Sequence, residues 1–259
     1  MFRTPVSVYM TPDPATVKRS TSLEEVAKLL ELRGISAMPV IDEAGKPIGI
    51  ISRRDLLRVG RLAGRPGAGP RLWKLPEERA GEVMSEKMIM VSDTTSLKEA
   101  AAAMLDNHVH RVFVERRRAL RGVLTTKDVM QAIVDERYQA PIHRFMSSPV
   151  ETIAGFEPLG AARLQLESLG VRGLVVTEEG WPIGMFAEEE ALASRHHDPE
   201  LPVDRVMGHE VLIQSPDVRA NRAAGRMASM HARRIVVVEQ GELQGILTGF
   251  DLAGAAAVA

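Results

Sequence analysis

The hydrophobic and polar positions of the chain change their period in the same order four times. A short apolar stretch is followed by a helical spacing of i, i+3, i+4 and i+7, as in Leu23, Val26, Ala27 and Leu30. Two dense aliphatic runs joined by a turn come next, such as "AMPVI" with "IGII", and they indicate a hairpin. Each copy therefore predicts a strand, a helix, two further strands and a second helix.

An opening methionine and a later glycine recur in all four copies at a nearly fixed separation. Each copy opens with a methionine, and a glycine follows 38 or 39 residues later at the start of "GIISRRD", "GVLTTKD", "GMFAEEE" or "GILTGFD". The opening methionines are Met10, Met84, Met146 and Met207, and the motif glycines are Gly49, Gly122, Gly184 and Gly245. Because a fixed period is typical of tandem structural repeats, we interpret the chain as four copies of one unit.

The repeated unit is too small to fold alone. A unit of roughly 50 residues with a short sheet cannot bury both faces of that sheet. We therefore expect neighbouring copies to pair, sheet against sheet, in an α/β (α+β) fold. The Gly/Pro-rich residues 60–80 are typical of a linker between the first two copies.

The composition narrows the class of protein. The 259 residues are 45% hydrophobic, and 33 basic residues balance 34 acidic ones, so no overall charge attracts the chain to nucleic acid or to a membrane. The absence of cysteine excludes disulfides, thiolate catalysis and thiolate metal sites, and it favours a reducing compartment. No apolar run approaches the length of a bilayer span. We expect a cytoplasmic protein with no metal site and no required cofactor.

The sequence contains no recognisable set of catalytic residues. It offers no nucleophile with a neighbouring base, and its paired carboxylates lie in runs typical of a surface. We therefore expect a protein that is not an enzyme.

The recurring motif ends with a hydroxyl residue and, three positions later, an aspartate. This spacing is a helix capping signature, in which the hydroxyl and the carboxylate both bond the backbone at the helix start. Such a helix start also presents N–H groups to a cleft, and its aspartate is an acceptor suited to the two hydroxyls of a ribose. The residues alone leave both interpretations open. The hydroxyls are those of Ser52, Thr125 and Thr248, and the acids are Asp55, Asp128 and Asp251.

The third and fourth copies depart from this pattern. In the third copy Ala187 replaces the hydroxyl and Glu190 replaces the aspartate, so we expect a lost cap and a weak or empty cleft. The fourth copy keeps Thr248 and Asp251, but we expect its last helix to dissolve into "LAGAAAVA". The first two copies are therefore the best candidates for a binding site.

Three short sequence motifs define the repeated unit over most of the chain. They are the openings "VMS" and "YMT", the hairpin "AMPVID" and the closing G-h-h-[ST]-x-x-D, where h is apolar. With them the chain resembles four cystathionine beta-synthase (CBS) domains. Such domains pair with pseudo-twofold symmetry into Bateman modules, and two modules in one chain resemble the gamma subunit of AMP-activated protein kinase. The resemblance implies modules at residues 1–135 and 136–259, with copies at about 8–59, 82–135, 144–196 and 205–257.

Basic side chains lie at the start of two predicted hairpins, 26 and 27 positions after the opening methionine. The string "HRVFV" resembles a gamma-subunit string in which basic residues face nucleotide phosphates, and an arginine fork suits phosphate oxygens. Solvated strand ends and ordinary surface charge are the alternative interpretations. The phosphate-binding candidates are His110, Arg111, Arg233 and Arg234 at the strand starts, and Lys127 and Arg53 within the motifs.

The resemblance implies a regulatory protein that binds adenine nucleotides in clefts between its copies, with AMP as the first choice and ADP or ATP next. It would act as an energy or metabolite sensor, with a homodimer or a partner protein receiving its output. Two alternatives stay open. One is an interaction scaffold with vestigial clefts, and the other is a nucleic-acid-binding regulator that uses arginines in and around the linker. Scarce aromatic residues, at 4%, argue against the second.

Overall fold

Every copy folds in the order of elements that the hydrophobic pattern predicts. The structure, a computed structural model, describes residues 1–63, 72–117 and 119–259. In each copy a first strand, a helix, two antiparallel strands and a second helix follow one another, which confirms the predicted α/β fold of βαββα repeats. Within those three ranges no helix is both long enough and apolar enough to cross a bilayer.

The elements have similar bounds in all copies. The chain opens with β1 (Thr11–Pro12), and copy one continues with β2 (Val17–Lys18), α1 (Leu23–Leu32), β3 (Ala37–Ile41), β4 (Pro47–Ser52) and α2 (Arg53–Val59). A connecting hairpin of β5 (Arg61–Ala63) and β6 (Leu72–Lys74) leads to copy two, which contains α3 (Ala80–Val83), β7 (Met90–Ser92), α4 (Leu97–Asp106), β8 (Arg111–Arg116), β9 (Ala119–Thr125) and α5 (Thr126–Asp135).

The second half of the chain repeats this arrangement. Copy three contains β10 (Thr152–Ala154), α6 (Leu159–Leu169), β11 (Gly173–Glu178), β12 (Trp181–Ala187) and α7 (Glu188–Ala193). Copy four contains β13 (Ile213–Gln214), α8 (Ala220–Ser229), β14 (Arg234–Glu239), β15 (Glu242–Thr248) and α9 (Gly249–Val258). In every copy the first strand pairs in parallel with the second, and the second pairs antiparallel with the third.

The first helix of a copy buries the face that its period predicts. An apolar stripe at this spacing covers one side of the helix, which therefore packs on its sheet. The buried residues are Leu23, Val26, Ala27 and Leu30 in α1, Leu97, Ala100, Ala101 and Met104 in α4, and Ala220, Ala223, Ala224 and Met227 in α8.

The copies form two compact units. Unit 1 contains residues 1–14, 88–150 and 212–259, and thus holds the bodies of copies two and four. Unit 2 contains residues 15–87 and 151–211, and thus holds the bodies of copies one and three. In unit 1 the helices α4, α5, α8 and α9 share one core, which includes Ile133 and Leu252. The Bateman pairing at residues 1–135 and 136–259 stays a prediction.

Within each unit, the opening segment of one copy lies on the sheet of another. In unit 1, β1 from the opening of copy one pairs with β9 of copy two. The same kind of backbone pairing occurs for the other three openings. The bridges are Ser147 with Ile246, Ile50 with Ser85, and Met185 with Gly208.

The motif glycine leaves room for the opening segment of the other copy. A Cβ placed on Gly122 would lie 2.5 Å from the sulfur of Met10 and 2.9 Å from the carbonyl oxygen of Thr11. Both distances are shorter than a carbon atom tolerates, so the site requires glycine. The opening methionines and the motif glycines are therefore in contact, but each methionine contacts the glycine of a different copy. The other pairs are Gly49 with Met84, Gly184 with Met207, and Gly245 with Met146.

The last helix of the chain forms, which makes the expectation of a dissolved helix wrong. Helix α9 spans Gly249–Val258 and buries Leu252, Ala253 and Ala256. Alanine is the strongest helix former, and small side chains let α9 approach α4 and α5 closely. The Ala-rich segment is thus a tightly packed core helix of unit 1.

Two short strands lie within the segment predicted as a linker. Arg61–Ala63 and Leu72–Lys74 pair antiparallel, and Trp73 is buried against the core of copy one. The glycines and prolines between these strands lie outside the described residues. So do Arg65, Arg71 and Arg118, which are among the arginines of the nucleic-acid-binding alternative.

Candidate functional site

In unit 1 the motif helices of copies two and four begin side by side. A Cβ placed on Gly249 would lie 2.8 Å from Thr126 Oγ1, and these two residues are the first of α9 and α5. The ring centroids of His110 and Phe250 lie 4.9 Å apart. The two capped helix starts and the neighbouring strand starts therefore form one region, which we call the unit 1 site.

The capping interpretation is correct for all three intact motifs. In copy two, Asp128 Oδ2 accepts hydrogen bonds from the Thr125 N–H at 2.6 Å and the Thr125 hydroxyl at 2.9 Å. The same pair of bonds joins Ser52 to Asp55 and Thr248 to Asp251. The Thr125 cap uses Oδ2 alone. Capping by Thr125 thus does not involve the second oxygen of this carboxylate.

The strand starts lie directly beside these caps. In the hairpin registers Arg111 pairs with Thr125 and Arg234 pairs with Thr248, and neighbouring strands lie about 4.8 Å apart. The N–H of Thr126 also donates to the His110 carbonyl oxygen at 3.1 Å. Within unit 1 the fold therefore brings the basic candidates to the same end of each sheet as the capping acids. These candidates are His110, Arg111, Lys127, Arg233 and Arg234.

Burial changes the proton affinity of both acids in the unit 1 site. Desolvation raises the pKa of Asp128 above its ordinary value, against the opposing effects of the Thr125 hydrogen bonds and the Lys127 charge. Desolvation likewise raises the pKa of Asp251, although Thr248 and Ser147 donate to it. A group that donates hydrogen bonds to these carboxylates would stabilise their ionised forms.

Replacing Asp128 by asparagine should change how stability depends on pH. Because the folded-state pKa is raised, the stability contributed by Asp128 is fully present below its unfolded pKa and is lost as pH rises through its folded pKa. Asparagine keeps an acceptor for the cap without a charge. We therefore expect Asp128→Asn to gain stability relative to the unmodified chain as the pH of urea unfolding rises from about 4 to 7.

Glu99 provides a matched control of opposite sign. It accepts from the Ser96 N–H and hydroxyl in the same capping geometry, but the hydroxyl bond lowers its pKa. Glu99→Gln should therefore lose stability relative to the unmodified chain over the same pH range. An equal trend in both variants would contradict the assigned effect of burial.

Ser147 is a contact that the sequence analysis missed. Its hydroxyl donates to Asp251 Oδ1 at 2.8 Å, so both oxygens of Asp251 are engaged. Ser147 follows the opening methionine, in the segment that the fold places on the sheet of copy four. A hydroxyl also follows the opening methionine at Thr11 and Ser85, and this recurrence was the available signal.

The third copy keeps half of its cap. The Ala187 N–H donates to Glu190 Oε2 at 2.9 Å, so the expectation that the cap is lost is wrong for the carboxylate. The longer glutamate side chain reaches back to the backbone as aspartate does. Only the hydroxyl half of the cap is missing.

The remaining predicted residues lie in unit 2, where the surroundings differ. Arg53 Nη1 donates to Glu189 Oε2 at 2.8 Å, and the Arg53 side chain is only 3% exposed. Asp55 Oδ1 lies 3.6 Å from an Arg58 nitrogen. The fold therefore separates the predicted set, with Ser52, Arg53, Asp55, Ala187 and Glu190 in unit 2 and the rest in unit 1.

Two solved structures share the fold along nearly the whole chain. The structure of protein MJ1225 from Methanocaldococcus jannaschii, a proposed archaeal homologue of g-AMPK, superposes with a TM-score of 0.82 at 18% identity. The alignment covers 97% of this chain and 99% of that one. A conserved protein from Pyrococcus horikoshii gives a TM-score of 0.69 at 22% identity, with the same two coverages. At these identities the likeness concerns the fold alone.

Sequence relatives and a family model agree with this likeness. A 33.4 kDa protein in a ribosomal RNA operon of Thermofilum pendens is 28% identical over an alignment of 214 residues that covers 78% of this chain. The CBS domain-containing protein CBSX2 of Arabidopsis thaliana is 29% identical over an alignment of 148 residues that covers 49% of this chain. The chain spans 65% and 62% of the lengths of these two relatives. The model of the CBS domain matches residues 6–61 and 80–135, so the segments of the first two copies are similar to CBS domains.

Proposed function

We propose that this chain is a non-catalytic regulatory protein that binds an adenine nucleotide, AMP first and ADP or ATP next, at the unit 1 site. The observation that carries the proposal is the juxtaposition of capped acids and basic strand starts in unit 1. Asp128 has one carboxylate oxygen that the Thr125 cap does not use, and Arg111 starts the strand opposite Thr125. A ribose diol and a phosphate group require these two kinds of partner in close proximity.

The acid is suited to the sugar half of the ligand. Asp128 already holds the helix start through Oδ2, so its carboxylate is fixed in position before a ligand arrives. Two ribose hydroxyls donating to Asp128 would offset the desolvation that raises its pKa. The same acid is unsuited to phosphate, because like charges repel. The anionic end of a nucleotide must therefore lie toward the cations.

The cations are suited to the phosphate half. Arg111, Arg233 and Arg234 supply guanidinium groups that bind phosphate oxygens in pairs, and Lys127 is an exposed first-turn residue of α5. His110 lies against the Phe250 ring, and a protonated imidazole adds a donor whose charge depends on pH. An aromatic ring at this place also offers a face for a base. We leave Arg53 out of the site because it already binds Glu189.

The mechanism that we propose is a shift between arrangements of the chain. A ligand held at both its sugar and its phosphate favours the arrangement in which both contacts exist, and only this difference in affinity moves the equilibrium. The output would pass to a partner protein or to a second copy of the chain, in the cytoplasm. A scaffold without a ligand is the competing function, and it predicts no nucleotide binding at all.

Replacing Asp128 by alanine is the direct test. Charged hydrogen bonds are worth about 1.5–3 kcal/mol each, so we expect AMP affinity in calorimetry to fall at least tenfold. The lost cap should reduce the free energy of unfolding by only about 1 kcal/mol.

Glu99→Ala is the control, because it removes the same kind of cap from α4, outside the unit 1 site. It should lower stability but leave AMP binding unchanged. Equal AMP affinity in the Asp128→Ala variant and the unmodified chain would leave the aspartate with its capping role alone. Absence of binding by AMP, ADP and ATP to the unmodified chain would reject the proposed function.

A further inference from the structure

The motif region of unit 2 supplies its own counterions. Arg53, the first residue of α2, is bound by Glu189 of α7 at 2.8 Å and is almost completely buried. Arg172 precedes the first hairpin strand of copy three, and its Nη1 lies 3.8 Å from Glu188 Oε2. Two cations that could face a phosphate are thus already paired with carboxylates of copy three.

The acidic residues come from an unusual stretch of sequence. The first three helical residues of the motif helix are Glu188, Glu189 and Glu190 in copy three. The equivalent residues are Arg-Arg-Asp in copy one, Thr-Lys-Asp in copy two and Gly-Phe-Asp in copy four. Acidic side chains are favourable at a helix start for any protein, so the helix itself explains their tolerance there. The helix start does not explain why Glu189 contacts Arg53 at the start of α2, or why Glu188 contacts Arg172 beside the start of β11.

We propose that Glu188 and Glu189 are the residues that determine ligand specificity between the two units, by excluding anionic ligands from unit 2. This inference deepens the proposed function, because it confines a phosphate-bearing ligand to unit 1. An anion approaching Arg53 would have to displace Glu189 or lie beside its negative charge. Both alternatives weaken binding relative to the same site without these two negative charges.

Two further observations support the exclusion. Glu188 is 9% exposed, and its Oε1 is buried with no hydrogen-bond partner among the described residues. This unpartnered carboxylate oxygen is an acceptor, which complements a donor and repels an anion. The cavity beside Arg53 and Glu189 has a volume of about 100 Å³, whereas ligand sites usually measure about 300–1,000 Å³.

The test is to remove the two negative charges while keeping their hydrogen-bonding shape. Glu188→Gln with Glu189→Gln should create a second anion site, which calorimetry with inorganic pyrophosphate detects as one additional binding event per chain. The control is Glu178→Gln with Glu179→Gln, which removes the same charge from the exposed hairpin turn of copy three. An unchanged number of pyrophosphate sites in the first variant, or an equal gain in the control, would overturn the inference.

A second variant tests the inference while Glu188 and Glu189 keep their charges. Arg53→Gln in the otherwise unmodified chain should leave AMP and pyrophosphate affinity within about twofold, because Glu189 already neutralises Arg53. A tenfold loss would show that Arg53 binds the ligand and would overturn the inference. The proposed function can be rejected independently of this inference. If the unmodified chain binds no AMP but the double glutamine variant gains a pyrophosphate site, the proposed nucleotide binding is wrong. The exclusion of anions by Glu188 and Glu189 is then still supported.

Discussion

Replacing Gly122 by alanine is expected to destabilise the protein by about 1–3 kcal/mol, the usual cost of overpacking a filled site. The added carbon would lie 2.5 Å from the Met10 sulfur and 2.9 Å from the Thr11 carbonyl oxygen. A methionine side chain can move, but the carbonyl oxygen belongs to β1, which is hydrogen-bonded to β9. The opening segment must therefore shift or detach. The free energy of unfolding in urea measures the effect.

Gly225 provides the matched control. It lies in the interior of α8, and the nearest atom to an added carbon would be Val134 Cγ2, at the ordinary contact distance of 3.9 Å. Gly225→Ala should be neutral or stabilising by up to about 1 kcal/mol, because alanine is the better helix former. Adding Met10→Ala to Gly122→Ala should recover part of the loss. Equal stability of Gly122→Ala and the unmodified chain would contradict a steric requirement for glycine.

Replacing Glu189 by alanine is expected to be the second large effect, at about 2 kcal/mol of lost stability. Removing one partner of a buried ion pair leaves an uncompensated charge, and costs of about 3–5 kcal/mol are typical. The expected value is lower here because the Glu189 side chain is 46% exposed and Arg53 is the buried partner. Urea unfolding at neutral pH again gives the measurement.

The second substitution in the same pair shows whether buried charge is the cause. Arg53→Leu added to Glu189→Ala removes the unpaired guanidinium and should restore most of the lost stability. Breaking the exposed pair of Lys18 with Glu43 by Glu43→Ala should change stability by less than about 1 kcal/mol. A loss as large in Glu43→Ala, or no recovery in the double variant, would show that the burial of Arg53 is not responsible.

The fold could be predicted largely from the period of the apolar residues. The buried faces of α1, α4 and α8 follow from an apolar spacing of about 3.6 residues. The hairpins follow from pairs of dense aliphatic runs joined by a turn. The α9 segment could not be predicted in this way, because alanine and glycine give no contrast between a buried and an exposed face. Its helicity depends on close packing with α4 and α5 in the folded unit.

The candidate site was predictable in kind but not in detail. The capping acids and the basic strand starts recur in the sequence, and the register of each hairpin brings them together. The contact between Arg53 and Glu189 joins residues 136 positions apart, and it depends on which copies share a unit. The spacing of methionine and glycine was visible within each copy, but it could not show that each methionine meets a glycine of another copy.

The exchanged opening segments also determine how this chain can be divided. Neither unit is a continuous stretch of sequence, since the backbone passes between them after Pro14, Lys87, Val150 and Val211. A fragment that ends at residue 135 would keep α4 and α5 but lack α8 and α9, which complete the core around Ile133. Truncating the gene at an apparent repeat boundary would thus remove part of the hydrophobic core of unit 1. A chain that loses or gains copies must therefore keep together the two copies that share a unit.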